Sequence, residues 1–221
     1  MIGTVDNPDL AGKVIQGIWY ESERLKGVGM EILAKHRFKC SACGFVSRPS
    51  KQVPHGYMVP VDSGHPGLAA LTLKTATCLC PLCASAIAVN WAVADRHSDR
   101  AEIVPAAGSL IWLPEVTQAK ICLVATYTLV GVNALDSTHD LASVLNDADT
   151  AFRGRSAHLA SNIPLYKNDR DSDFARALAL LPEEYYEYRT EVLEGVRFWP
   201  SSSFWVKQAE YWNAATYQSL E

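Results

Sequence analysis

A chain of 221 residues with 48% hydrophobic side chains is long enough to bury a core and too apolar to be disordered. Its formal charge of −4 excludes non-specific nucleic-acid binding by the molecule as a whole, because neutralising phosphates requires an excess of Lys and Arg. Six cysteines, clustered rather than spread, are too few for a disulfide scaffold, and Met1-Ile-Gly-Thr-Val-Asp-Asn7 has neither a basic nor an apolar leader region, so a reducing, cytoplasmic setting is expected.

In chain order, residues 1–19 read as an arm laid over the body. Leu25, Val28, Ile32 and Leu33 share one helical face and predict a helix from Glu21 to about His36, weakened by Gly27 and Gly29. Phe38 to Val46 reads as a short strand into and out of a Cys-x-x-Cys turn, with Gly44 supplying backbone freedom. The next stretch, with Pro49, Pro54, Gly56, Pro60, Gly64, Pro66 and Gly67, has too much punctuation for a helix; a short strand over 56–61 followed by a loop fits better. After Cys83, residues 84–94 are helix formers with few breakers, so a helix is expected to start directly on the second Cys pair.

Gly108 to Leu113 is a candidate buried strand, and Pro114-Glu115 is expected to open a long apolar helix to about Val130. The apolar run from Ile121 to Leu135 contains Thr126, Thr128 and Asn133 and is too short to cross a membrane. Further helices are expected over Leu141–Phe152 and Phe174–Leu181, from Pro182 onward, and from Ser201 to Leu220 with the serines as N-caps. The fold class is α+β. A single domain, 1–221, is expected to hold a metal-binding core over 35–100 and a mainly helical portion over 105–221.

The chemistry concentrates in the cysteines. Cys40-x-x-Cys43 and Cys80-x-x-Cys83 form two tight pairs, and two such turns can present the four sulfurs that a tetrahedral ion needs. Four thiolates leave no open position, so the site is structural rather than catalytic. Zinc suits it, and iron in a rubredoxin-like arrangement satisfies the same spacing. Cys78, two residues before Cys80 on an extended approach, points away and is left free. Cys122, alone in an apolar helix, reads as a small buried hydrophobe.

Charge is uneven: seven basic residues face three acidic ones over 20–51, and ten acidic face five basic over 168–221, which predicts two differently charged faces. The aromatics Tyr185, Tyr186, Tyr188, Phe198, Trp199, Phe204, Trp205, Tyr211 and Trp212 crowd the second half. Two readings stand side by side, a protein-contact surface and a helical core closed by large rings. They make a poor single-strand nucleic-acid surface, since interleaved basic residues are mostly missing.

Two knuckles with a His-bearing strand between them resemble the His-Asn-His endonucleases, a treble-clef fold built around a small β-hairpin. In that family a strand His is the general base, a role that His55 or His65 would take here. The family's catalytic cation needs donors on the helix after the second knuckle, whereas this chain offers Ala84, Ser85, Ala86, Ile87, Ala88 and Val89 before Asn90, so nuclease chemistry is expected to be absent and the chain not to be an enzyme. Phe38-Lys-Cys-Ser-Ala-Cys-Gly-Phe45, Thr75-Ala-Thr-Cys-Leu-Cys-Pro-Leu-Cys83, Gly108-Ser-Leu-Ile-Trp-Leu-Pro-Glu-Val-Thr-Gln118 and Val196-Arg-Phe-Trp-Pro-Ser201 together resemble the IcmJ (DotN) family of type IVB (Dot/Icm) secretion systems. That resemblance implies one structural zinc on Cys40, Cys43, Cys80 and Cys83. It also implies an adaptor role in the coupling complex, bound to the cytosolic tail of a DotL-like ATPase with a DotM-like subunit nearby, peripheral to the inner membrane. A related conjugative DNA-transfer system would use the same parts.

Overall fold

The structure is a computed structural model and describes residues 2–62, 72–97, 103–164, 166, 170–181, 185, 191 and 193–217. It combines helices with short antiparallel strand pairs, an α+β arrangement.

The N-terminal stretch is a packed element rather than an arm. Helix α1 (Pro8–Ile15) starts with Pro8 at its first turn and Asn7 as N-cap, the Asn7 side chain accepting from the Leu10 N–H. Ile2, Val5, Ala11, Val14, Ile15 and, in the 3-10 turn Ile18–Glu21, Trp19 are all buried. Helix α2 (Glu23–Lys35) buries Gly29, Ile32 and Leu33. Gly29, costly for helix propensity, is needed for packing: a Cβ there would stand 2.4 Å from the Trp19 ring.

After α2 the chain turns through two left-handed residues, Arg37 and Phe38. The expected strand over 38–46 reduces to a single bridge between Lys39 and Val46, because the Cys40–Gly44 turn occupies most of it. Strands β1 (Val59–Asp62) and β2 (Ala76–Leu79) pair antiparallel, with Val59 opposite Leu79 and Asp62 opposite Ala76. Helix α3 (Pro81–Ile87) follows without a break from β2.

The helix expected over 84–94 is interrupted at Ala88, where α3 ends and α4 (Val89–Ala92) begins. The N-terminal segment explains the interruption: Gly3 N–H donates to the Ala86 carbonyl and Val89 N–H donates to the Gly3 carbonyl. The two-residue strands β3 (Arg96–His97) and β4 (Ile103–Val104) then pair.

Strand β5 (Gly108–Trp112) pairs antiparallel with β6 (Val196–Pro200), Gly108 opposite Pro200 and Trp112 opposite Val196. Between them lie α5 (Gln118–Ala134), α6 (Asp140–Gly154), a 3-10 turn (Arg155–His158), α7 (Leu159–Asn162) and α8 (Asp171–Ala179). Helix α5 starts at Gln118 with Thr117 as its cap, not at Pro114, because the chain leaving β5 needs Pro114 to Val116 to turn. Arg197 fixes that turn by donating to the Val116 and Pro114 carbonyls.

After β6, Ser201 to Phe204 form a turn rather than caps, and α9 (Val206–Trp212) runs into a π turn (Asn213–Tyr217). Most of the helix expected from Pro182 lies outside the described residues. One continuous core joins the halves, with Trp19, Trp199, Trp205, Trp212 and Phe198 among its largest buried side chains.

Candidate metal centre

Two differently built supports deliver the four sulfurs. The first is the turn after Lys39. Cys40 N–H donates to the Phe45 carbonyl and Gly44 N–H donates to the Cys40 carbonyl, while Gly44 sits at φ 81, a conformation that L side chains resist. The Cys43 N–H points at Cys40 Sγ, 3.5 Å away. The second support is the start of α3, where Cys80 is the N-cap and its sulfur accepts from the Cys83 N–H at 3.4 Å. The two are joined by Ser41 N–H donating to the Cys78 carbonyl of β2, and by the Ser41 hydroxyl meeting that of Thr77.

The sulfurs of Cys40, Cys43, Cys80 and Cys83 lie within 4.8 Å of one another, the one such group among the described residues. Cys43 Sγ stands 3.7 Å from Cys80 Sγ. Four sulfurs at ~2.3 Å from a zinc ion stand about 3.8 Å apart along each tetrahedral edge, so the spacing fits. The thiols also respond unequally to their crowding. Donation from Cys43, then Cys80 and Cys83, holds Cys40 far below the usual thiol range, while burial pushes Cys80 well above it. Four sulfurs grouped this closely are the donor set that a structural zinc or iron ion would fit.

The remaining cysteines surround this group. Cys78 is fully buried on β2 and outside the four, and burial pushes its thiol up. Cys122, on α5, accepts from Gln118 Nε2 at 3.2 Å. It is buried, as a small apolar side chain there was expected to be, and it is the largest influence raising the Cys83 thiol. No local spacing signalled this, because α5 arrives from far along the chain.

The residues weighed for nuclease chemistry are otherwise engaged. His55 is packed among the rings of Trp19, Tyr20 and Tyr57. Its Nδ1 accepts the Tyr57 N–H at 3.0 Å, and burial lowers its pKa, which favours the neutral ring. Asn90 holds the N-terminal segment, accepting from the Val5 N–H at 3.1 Å and donating to the Val5 carbonyl at 2.8 Å. Ala84, Ser85, Ala86, Ala88 and Val89 are buried. His139 caps α6, its Nδ1 accepting from the Leu141 N–H. His65 lies outside the described residues.

The aromatic cluster divides in favour of the core. Phe198, Trp199, Trp205 and Trp212 are buried, Phe204 and Tyr211 half-buried, and Tyr185 exposed, while Tyr186 and Tyr188 lie outside the described residues. Trp199 donates to the buried Asp149 carboxylate and Trp205 to the Ala107 carbonyl. Exposed apolar area appears instead on the packed pair α5 and α6: Leu123 and Val124 at 44%, Tyr127 and Leu141 at 40%, and Val144 at 60%. No helix among the described residues is long and apolar enough to cross a membrane. Comparison with known proteins gives no match, either to a family model or to a curated sequence.

Proposed function

We propose that the chain is a non-enzymatic, zinc-stabilised adaptor subunit of a type IVB (Dot/Icm) secretion coupling complex, of the IcmJ (DotN) kind. In this reading its core is a treble-clef relative of the His-Asn-His nucleases that has kept the metal staple and lost the reaction. The observation that carries the non-enzymatic part is the grouping of the Cys40, Cys43, Cys80 and Cys83 sulfurs within 4.8 Å of one another. A fully thiolate-ligated ion has no position for substrate or water. The order of knuckle, β1–β2 hairpin and α3 supports the treble-clef assignment. Asn90 bound to Val5 and His55 walled by rings support the loss of catalysis.

The secretion role rests on the resemblance of the four sequence stretches. Its partner is the cytosolic tail of a DotL-like coupling ATPase, with a DotM-like subunit in the same complex, and the chain is cytoplasmic, held at the inner membrane through that partner. The exposed apolar residues of α5 and α6, beside exposed Asp140 and Asp147 on α6, suit a basic amphipathic segment of the tail. Pull-down with the soluble ATPase tail tests this: capture is expected, and a folded, monodisperse protein that never captures it sinks the reading. Incubation with plasmid DNA and Mg²⁺, Mn²⁺ or Ni²⁺ is expected to leave the plasmid intact. Cleavage lost in His55→Ala would establish the nuclease alternative instead.

A further inference from the structure

The last described residues pack on the chain that leaves the Cys40–Cys43 turn. The root of this segment is fixed in the core: Trp205, Ala209 and Trp212 are fully buried, and α9 packs on α5. From there the π turn opens the helical repeat, a local widening that is enriched at functional sites. Several contacts then reach the first knuckle. Trp212 packs edge-on to Phe45 with ring centroids 5.2 Å apart, and Tyr217 lies 6.4 Å from the same ring. Thr216 Oγ1 donates to the Val46 carbonyl at 3.3 Å, and the Tyr211 hydroxyl donates to the Arg48 carbonyl. Tyr217 is tied down on its far side, its hydroxyl 3.0 Å from Thr126 Oγ1 and its ring 5.5 Å from Tyr127.

The turn this segment packs against carries the one ligand of the four with access to solvent. Cys40, Cys80 and Cys83 are buried, while Cys43 is half-buried. A competing chelator or a proton must reach a sulfur before the ion can leave, and Cys43 offers the entry.

We propose that the segment from α9 through Tyr217 is a strap that sets the rate at which metal leaves the four-cysteine centre, with Tyr217 as its closing residue. The proposal rests on the metal assignment and is independent of the secretion reading. A peripheral segment held by a few ring contacts and hydrogen bonds opens locally at far lower free energy than the whole fold, so metal exchange passes through a strap-open state and not through global unfolding. Ligand spacing then governs how tightly the ion is held, and the strap governs how long it stays.

The test uses the full chain loaded with zinc and a chromophoric chelator, 4-(2-pyridylazo)resorcinol, in excess, with release followed by absorbance. Tyr217→Ala is expected to release zinc about tenfold faster than wild type, and Tyr217→Phe, which loses only the bond to Thr126, about threefold faster. Leu145→Ala, which removes packing against Gly131 between α6 and α5, is expected to lower the thermal midpoint and leave the release rate unchanged. Wild-type release from Tyr217→Ala, or equal acceleration by Leu145→Ala, overturns the strap. If Tyr217→Ala does not fold, Tyr217→Phe decides on the same criterion. Metal content in the starting protein separates the two readings: no metal in folded protein sinks the centre and the strap together, whereas equal release rates sink the strap alone.

Discussion

The two Cys pairs supply the same ligands by different means. Cys80 and Cys83 are held by regular structure on both sides, β2 before them and α3 after, and both are buried. Cys40 and Cys43 are held by a turn that depends on the backbone of Gly44 and on cover from the C-terminal segment, and Cys43 stays half-buried. The helix-borne pair is therefore pre-organised, and the turn-borne pair is completed by what packs on it. Damage to the first should unmake the fold, and damage to the second should loosen the ion.

The largest effect is expected from Cys80→Ser. Structural zinc supplies on the order of 10 kcal/mol to small zinc-binding folds, comparable with the whole stability of a domain. This variant should give no soluble folded protein, whereas Cys43→Ser should fold and hold zinc more weakly; soluble yield and elemental analysis decide. Equal outcomes for the two would break the comparison.

Gly44→Ala tests the turn by itself. The added Cβ has room, its nearest neighbour being Lys39 Cε at 3.8 Å, so the cost is the left-handed backbone alone, about 1–2 kcal/mol. A urea midpoint measures it.

His55, between the two pairs in sequence, should impose a pH dependence. Burial lowers its folded pKa below the unfolded value, so the unfolded chain binds the extra proton. Its contribution is complete above the unfolded value near 6.5 and is lost as pH falls through the folded one. Stability should thus rise with pH across the acid side of 6.5, and His55→Ala should flatten that slope in urea titrations run at several pH values. The smallest effect is expected from Ser41→Ala, which removes hydroxyl contacts to Thr77 and His36 at the exposed seam of the two supports, about 0.5 kcal/mol.

Local patterns carried much of this into the sequence. Two Cys-x-x-Cys turns need only four-residue spacing to be recognised, and the structure brings their sulfurs together. The helix at Glu23–Lys35 was visible because its apolar residues repeat at the helical period, and the strand at Gly108–Trp112 because it is a short apolar run after Pro105. What was hidden depends on distant chain. β6 holds Arg197 and Pro200, poor strand residues, and becomes a strand because Gly108–Trp112 supplies its ladder. The break at Ala88 is made by Gly3, and Cys122 is brought beside Cys83 by α5. Helix α1 was the avoidable miss, since Asn7-Pro8 is itself a helix-start signature.

The β5–β6 ribbon also dictates an order of events. Gln118 brackets Phe198 from both sides, donating to its carbonyl and accepting its N–H across 80 residues of sequence, so neither strand is complete until the chain has been made as far as Pro200. The four clustered cysteines and α3 all precede Val89, so they can be brought together while β6 is still unmade. During synthesis Leu110 and Ile111 must wait on an unpaired strand edge, the kind of intermediate most open to misassociation. The long-range β5–β6 pairing, rather than the local Cys cluster, is therefore the contact that costs most loop closure in folding.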